Sequence, residues 1–201
     1  MRAVIRLIDR MLCLTGGIFE FSQAPEIILR LQLRTAPHAV NLGSMFITRG
    51  DPLLALHLWN ERMPGLPVAG ADFEWAVLLR RCFIRSLIEV AKLLQGNPRY
   101  ANAHAIYGDS ALLSVSDHTG GMQMLQRLGF TVLPYRRPLG NFGLFWENLL
   151  SWGVMWTYNH PSLRTRQFWR LQRTELWITR ADFLRRFGQA ELNDFPRIMK
   201  S

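Results

Sequence analysis

The fold of this chain is decided by one stretch of sequence, Leu53-Leu54-Ala55-Leu56-His57-Leu58-Trp59-Asn60-Glu61. An apolar run between the turn signal Gly50-Asp51-Pro52 and the breaker Met63-Pro64-Gly65 predicts a buried central strand from Leu53 to Trp59. The run leads directly into an amide and a carboxylate. We therefore expect polar chemistry at the end of this strand, although the stretch itself specifies no reaction.

The segments before this strand predict an N-terminal helix and two further strands. Residues 3–14 have the pattern of an amphipathic helix that ends at Gly16-Gly17. Ile27 to Arg34 alternates between apolar and polar residues, which predicts a half-buried strand, and Met45 to Thr48 predicts a short one. Antiparallel pairing is the economical arrangement for these strands.

The longest predicted helix runs from Asp72 to Gln95, with Gly96 and Pro98 as its stop. Its predicted apolar face contains Phe73, Ala76, Val77, Ile84, Leu87, Ile88, Ala91 and Leu94. Arg80 falls in the middle of that face. Because a buried guanidinium without a partner is costly, we expect either a structural carboxylate or a bound anion beside it.

A strand, helix and strand are predicted next, over His104 to Val115, Thr119 to Leu128 and Phe130 to Tyr135. Gly129 is the expected end of the helix. The loop Ser116-Asp117-His118-Thr119-Gly120-Gly121 leads into that helix, where backbone amides can hold a phosphate or carboxylate. The alternative is an ordinary glycine-containing turn.

The C-terminal part predicts a strand over Glu175 to Ile178 and a variant capping box, Thr179-Arg180-Ala181-Asp182, that begins a short helix ending at Gly188. Together these elements predict an α+β fold. It is a single domain with a mixed or mainly antiparallel sheet, packed against the long helix, with further C-terminal helices. Within residues 1–201 we expect the N-terminal helix in 1–20, the core in 26–188 and a loose tail in 189–201.

The composition is that of a globular chain with a strongly basic balance. It has 201 residues, of which 49% are apolar and 19% charged, and a formal net charge of +9. All but two of the 24 basic residues are arginines, which reflects either codon bias or planar binding of phosphate and carboxylate groups. No nucleic-acid-binding signature accompanies them, so nucleic acid ranks last among the expected partners.

The segment between Arg137 and Arg164 has one charged side chain, Glu147, and is rich in tryptophan. A helix from Asn141 would gather Phe142, Phe145, Trp146, Leu149, Trp152 and Trp156 on one side, with Glu147, Asn148, Ser151 and Tyr158 on the other. The segment is too interrupted for a membrane span, which leaves a core helix or an interfacial helix. In the interfacial case Trp146, Trp152 and Trp156 enter the headgroup region and Arg136, Arg137, Arg164 and Arg166 meet lipid phosphates.

The common catalytic and metal motifs are missing. The five histidines have no His-x-x-x-His or Glu-x-x-His spacing, so we predict no metal site. There is no Gly-x-Ser-x-Gly elbow and no phosphate loop. Cys13 and Cys82 lie far apart and charges interrupt the N-terminal apolar run, which favours a cytoplasmic protein without an export signal.

A candidate site therefore has to be assembled from separate elements. His57 and Glu61 are the catalytic candidates, as a base and its orienting group, and the alternative for both is an exposed polar stripe. The candidate ligand-binding residues are Asn60, Arg80, Asp109, His118, Gly120 and Gly121. For Arg80 the alternative is an internal ion pair with Asp109 or Glu61, and for His118 it is a plain loop position.

Several short pieces of this sequence resemble the YkoP-like domain family of bacterial proteins. They are Gly50-Asp51, Leu56-His57-Leu58-Trp59-Asn60-Glu61, Tyr107-Gly108-Asp109, Leu128-Gly129-Phe130, Tyr158-Asn159-His160-Pro161 and Glu175-Leu176-Trp177-Ile178 with Arg180, Leu184, Arg185 and Gly188. The resemblance carries no established activity and no catalytic residue. It implies an association with polysaccharide deacetylases, although their paired-histidine metal motif is absent here.

A weaker resemblance, to GNAT-type acyl-CoA-dependent N-acyltransferases, rests on the strand, glycine-containing loop, helix and Leu128-Gly129-Phe130. Their usual Arg/Gln-x-x-Gly-x-Gly/Ala loop is replaced by Asp117-His118-Thr119-Gly120-Gly121. We therefore carry two hypotheses. The first is an accessory binding protein of envelope lipid or polysaccharide metabolism, without a cofactor, at an anionic membrane surface or an envelope-biosynthesis protein. The second is a small transferase that uses acyl-CoA.

Overall fold

A computed structural model describes residues 13–67, 70, 72–110, 120–136 and 173–190, with positions 7, 10, 11, 140, 145, 148, 149, 151–153, 156 and 157. The strands are β1 (Leu29–Thr35), β2 (Val40–Asn41), β3 (Phe46–Ile47), β4 (Pro52–Leu58), β5 (Ala105–Ser110), β6 (Thr131–Pro134) and β7 (Thr174–Thr179). The helices with defined bounds are α1 (Phe73–Gly96), α2 (Gly120–Arg127) and α3 (Arg180–Phe187), and 3₁₀ turns cover Asn60–Arg62 and Pro98–Tyr100.

Five of the strands form one mixed sheet in the order β1-β4-β5-β7-β6, and β2 pairs with β3 in a separate hairpin. Only the β4 and β5 pair is parallel within this sheet, and α1 is the crossover that this parallel pair requires. The last strand, β7, lies between β5 and β6 and is antiparallel to both. The predicted α+β class, with a mainly antiparallel sheet on a long helix, is confirmed.

The two faces of the sheet are covered by different elements. On one face, side chains such as Leu54, Leu56 and Ile106 pack with the buried side of α1 and with α3 in the larger core cluster. On the other face, a smaller cluster joins Leu53 and Ala55 to the hairpin and to aromatic residues of β5 and β7. Burying each such aliphatic side chain contributes about 1.5–3 kcal/mol, so both faces stabilise the sheet.

The predicted apolar face of α1 is only partly buried. The bounds agree with the sequence, and Asp72 caps the helix by accepting a hydrogen bond from the Trp75 amide. However, Phe73 is 82% exposed and Val77 46% exposed, so their assignment to the buried face was wrong. A 24-residue helix is about 36 Å long and the seven residues of β4 span about 23 Å, so the first turns of α1 extend past the sheet.

Strand β2 is an element that the sequence did not predict. It has only two residues, and its pairing of Val40 with Ile47 creates the hairpin that covers the second face. Two residues are too few for a periodic pattern to appear in the sequence. The predicted strand over His104 to Val115 is shorter at its start, and its positions 111–115 lie outside the described residues.

Candidate functional site

The parallel ladder between β4 and β5 ends before the strands do. Its pairs run from Leu53 with Ala105 to Leu56 with Gly108, whereas β4 continues to Leu58 and β5 to Ser110. The two strands therefore stop pairing at their carboxyl ends, the edge where ligands bind in open sheets with parallel strands. His57 and Asp109 are the first residues beyond the last pair.

Four charged or ionisable side chains lie in register across this end of the sheet. Arg30 of β1 is paired with His57 of β4, and Asp109 of β5 is paired with Glu175 of β7. Residues that are directly paired project to the same face, so these four form one line on the face opposite α1. We call Arg30, His57, Asp109 and Glu175 the polar row.

The imidazole of His57 is held as a neutral group. Its Nε2 lies 2.9 Å from Oε1 of Gln32, and because an amide oxygen only accepts, Nε2 carries the proton. Burial lowers the pKa of His57, the charge of Asp109 opposes this, and the charge of Arg34 adds to it. With the proton on Nε2, Nδ1 carries the lone pair and is the ring atom that can accept a proton.

The carboxylate of Asp109 is held by two donors from different elements. The hydroxyl of Tyr107 lies 3.4 Å from Oδ2, and Nη1 of Arg173 lies 3.5 Å from Oδ1. Nη2 of Arg173 also donates to Oγ of Ser151 at 2.8 Å. Burial raises the pKa of Tyr107, and the charges of Asp109 and Glu175 raise it further, so this hydroxyl remains protonated and acts as a donor.

Glu175 is the most buried member of the polar row, with 1% of its surface exposed. Its oxygens accept from Nε2 of His38 at 2.8 Å, from Nε1 of Trp177 at 2.9 Å and from the amide of Arg136 at 3.2 Å. The Trp177 ring packs edge-on against Tyr107, with 4.7 Å between ring centroids. Glu175 is thus enclosed by donors and positions its neighbours.

At the β1 edge, the polar row continues into a cluster around the buried ring of Trp59. The guanidinium of Arg30 lies 4.5 Å from this ring and that of Arg62 lies 3.5 Å from it. Oε2 of Glu61 accepts from Arg30 at 3.3 Å and from Nε1 of Trp59 at 3.2 Å. Glu61 therefore reaches the polar row through Arg30, with its side chain 48% exposed.

Among the residues expected from the sequence to form a site, the structure brings His57 and Asp109 together. Asn60 is half-buried and begins the 3₁₀ turn after β4, while Gly120 and Gly121 begin α2 after β5. Arg80 is half-buried on α1, whose buried side chains pack on the opposite face of the sheet from the polar row. His118 lies outside the described residues.

Sequence reasoning missed several residues around His57 and Asp109, namely Gln32, Arg34, His38, Arg173 and Glu175. The polar residues of β1 alternate with leucines, which also describes a strand with one face in solvent. The register shows that these residues share a face with the polar row. A usable signal was Glu175 itself, since a carboxylate within the apolar strand Thr174–Thr179 requires internal donors.

Eight positions of the predicted tryptophan-rich helix are described, and these are helical. Asn148, on its predicted polar side, is 3% exposed, whereas Phe145 and Leu149, on its aromatic side, are 38% and 43% exposed. Trp152 and Trp156 are half-buried, and Arg136 is exposed. Trp146, Arg137, Arg164 and Arg166 lie outside the described residues.

Within the described part of the chain, no helix combines the length and the apolar character needed to cross a bilayer. Also among the described residues, no group of three or more histidine, cysteine, aspartate or glutamate side chains is placed to hold a metal ion.

Comparisons with known proteins give a family but no individual relative. No curated protein and no solved structure matches this chain. The family model described as the YkoP domain matches residues 6–187, which include all the strands and helices described above. The chain belongs to the YkoP domain family.

Proposed function

We propose that this chain is a small acyltransferase that uses an acyl-CoA donor and a polar acceptor such as an amine. The observation that carries the proposal is the end of the β4 and β5 ladder at Leu56 and Gly108, with His57 and Asp109 just beyond it. Unpaired strand edges at this point offer backbone donors and acceptors to an extended ligand. The resemblance to N-acyltransferases is the reason for choosing acyl-CoA as the donor.

The chemistry assigned to His57 follows from its protonation state. An amine that attacks a thioester carbonyl must lose a proton as the carbon–nitrogen bond forms and the carbon–sulfur bond breaks. Nδ1 of His57 takes that proton, and the departing thiolate receives one in turn. Gln32 fixes the orientation of the ring through Nε2, and the charge of Asp109 favours the imidazolium that forms.

The phosphates of the donor are assigned to the start of α2 rather than to the start of α1. Both helices follow strands of the parallel pair, so both begin near the same edge of the sheet. The first turn of α1 already has Asp72 as its cap and contains Glu74, both of which disfavour an anion. The first turn of α2, at Gly120 and Gly121, has no acidic residue, and its amides favour an anion.

The experiment is a two-step comparison of the wild type with His57→Gln. Acyl-CoA binding is measured by thermal shift and calorimetry, and transfer is measured as thiol release with a panel of primary amines. We expect His57→Gln to keep donor binding and to lose roughly 10²-fold or more in turnover. The matched control is His104→Gln, because His104 lies before β5, at the opposite end of that strand, and its side chain is 47% exposed.

The outcome of the binding step decides the proposal first. No stabilisation of the wild type at saturating acyl-CoA would contradict it, since a ligand that binds the folded state must stabilise that state. If the donor binds but His57→Gln and His104→Gln transfer equally well, the role of His57 is wrong. The proposal would then need another base.

A second candidate function is that of an accessory protein of envelope metabolism, cytoplasmic and peripheral at the inner membrane. It is favoured by the exposure of Phe145 and Leu149, while the neighbouring Asn148 is buried. The family resemblance adds the envelope as context, with anionic lipid or an envelope-biosynthesis protein as partner. Exposed apolar side chains, together with an exposed arginine such as Arg136, suit an anionic lipid surface.

Vesicle sedimentation at low salt tests this second candidate. We expect phosphatidylglycerol vesicles to retain the wild type and the double variant Phe145→Ser, Leu149→Ser to be released. Leu33→Ser is the matched control, because Leu33 on β1 is 39% exposed. Equal behaviour of all three proteins at every lipid composition would end this candidate.

A further inference from the structure

Arg34 lies beside the polar row and on the same face of the sheet. It is paired with Leu53 in the β1 and β4 ladder, one alternation from Gln32, which contacts His57. Its guanidinium carbon is 5.3 Å from the centroid of the Tyr107 ring, and its charge acts on His57. The side chain is half-buried.

Within the described residues Arg34 has no counter-ion on this face, unlike the other charged groups named here. Arg30 is paired with Glu20 and Glu61, Arg173 with Asp109, and Glu175 with His38. The guanidinium of Arg34 makes no hydrogen bond and no ion pair within the part of the chain that the structure describes. A guanidinium has five donors, so this one keeps its full capacity for a planar anion.

The groups around Arg34 leave room for a negative charge. Burial favours the neutral form of His57, which therefore neither competes for an anion nor repels one. Asp109 is a fixed negative charge on this face, but Arg173 lies 3.5 Å from it and the hydroxyl of Tyr107 donates to it. The charge of Asp109 is therefore engaged by these two donors, which leaves the guanidinium of Arg34 available to an anion.

We propose that Arg34 binds an anionic group, a carboxylate or a phosphate, on the acceptor molecule that enters the site at His57 and Asp109. The inference rests on the proposed function for the identity of that molecule as an acceptor. The anion binding itself needs only the geometry of Arg34. The planar guanidinium provides two parallel donors, so the anion also fixes the orientation of the acceptor relative to His57.

The direct test uses inorganic phosphate and acetate as probes, each titrated at constant ionic strength and followed by calorimetry. We expect at least one probe to bind the wild type saturably and to bind Arg34→Gln at least about tenfold more weakly. Arg34→Lys keeps the charge without the fork, and we expect it to fall between them. The control is Arg99→Gln, because Arg99 is exposed on the 3₁₀ turn after α1.

A second measurement needs no variant, since loss of the contact with Tyr107 could unfold Arg34→Gln. Phenylglyoxal modifies arginines, and peptide mass spectrometry reports the rate at each position. Saturating probe should slow modification of Arg34 at least about fivefold and leave Arg99 unchanged, in line with a guanidinium engaged by its ligand. Equal protection of both arginines, or none, would overturn the proposal, as would undiminished binding by a folded Arg34→Gln.

Failure here is distinguishable from failure of the proposed function. Protection of Arg34 by phosphate in a protein that binds no acyl-CoA would keep the anion site and remove the transferase. Acyl-CoA binding with no effect of Arg34→Gln on either probe would keep the transferase and assign Arg34 to packing on Tyr107. Phosphate that binds only at the start of α2 is recognised by two results. CoA displaces it, and Arg34→Gln binds it as tightly as the wild type does.

Discussion

His38 and Glu175 are 137 residues apart in the sequence, yet Nε2 of His38 lies 2.8 Å from Oε2 of Glu175. His38 belongs to the segment between β1 and β2, and Glu175 belongs to β7 inside the sheet. The contact therefore fastens the segment that carries the hairpin to the strand that completes the polar row. The segment with the hairpin and the polar row are thus connected through the buried carboxylate of Glu175.

Replacing this carboxylate with an amide should destabilise the protein. In Glu175→Gln, the new NH₂ group must face at least one of the donors that the oxygen accepted, from His38, Trp177 or the Arg136 amide. An unmet buried donor costs about 1–3 kcal/mol, so we expect the free energy of unfolding in urea to fall by that amount. The control is Glu89→Gln, whose partner Lys92 lies on the surface of α1. That pair contributes at most about 0.5 kcal/mol, and similar losses in both variants would contradict the role of Glu175.

The capping hydroxyl of Thr179 gives a second prediction, which is local to α3. Its oxygen accepts from the Asp182 amide at 3.1 Å, and its proton is donated to Oδ2 of Asp182 at 2.7 Å. Thr179→Ala removes hydroxyl and methyl, whereas Thr179→Ser removes the methyl alone. We expect the Ala variant to unfold about 1 kcal/mol more easily than the Ser variant in denaturant titration. Equal stability would mean that the cap contributes nothing.

Much of the fold was predictable because single elements carry their own periodicity. The alternation in β1, the apolar run of β4, the capped helix α1 and the cap at Thr179 were all legible in the sequence and are confirmed. The order of the strands was not predictable, because alternation determines which face of a strand is buried and not which strand lies beside it. The insertion of β7 between β5 and β6 depends on contacts far apart in the chain.

The site was predictable in part for the same reason. His57 stands out because it is a polar group near the end of an apolar strand, whereas Asp109 was expected inside the strand predicted over His104 to Val115. Gln32 and Arg34 do not stand out in the sequence, because a polar residue on an alternating strand has the same pattern whether it faces solvent or a site. The parallel register of β4 with β5, which places His57 next to Asp109, depends on tertiary contacts that neither strand's sequence shows.

Gly129 supports a prediction about how α2 ends. The Phe130 amide donates to the Leu125 carbonyl and the Gly129 amide to that of Gln126, which forms a Schellman motif with Gly129 at φ +90°. A side chain there costs about 1–2 kcal/mol for the left-handed backbone, and its Cβ would also meet the guanidinium of Arg186.

The two contributions can be separated by thermal or denaturant unfolding. Gly50 has a similar φ of +97° and open space around it, so Gly50→Ala measures the backbone cost alone. We expect Gly129→Ala to lose more than Gly50→Ala, and the excess to vanish when Arg186→Ala is added. An excess that persists without the Arg186 side chain would contradict the predicted clash.

The lowered pKa of His57 predicts how stability changes with pH. Burial disfavours the charged imidazole, so the folded state binds a proton less readily than the unfolded chain, whose histidine has its ordinary pKa of about 6.5. Below that value the unfolded state holds more protons, and stability must fall as the pH falls towards the folded pKa. Above that pH, His57 does not change how stability varies with pH.

We therefore expect the free energy of unfolding of the wild type to drop more steeply below about pH 6.5 than that of His57→Gln, by at most about 1.4 kcal/mol per pH unit. Urea titrations at a series of pH values measure both slopes, and the carboxylates titrate in both proteins and cancel in the difference. Parallel curves from pH 8 to pH 5 would show that His57 is as easily protonated in the folded protein as in water, which would also remove the reason to treat it as a neutral base.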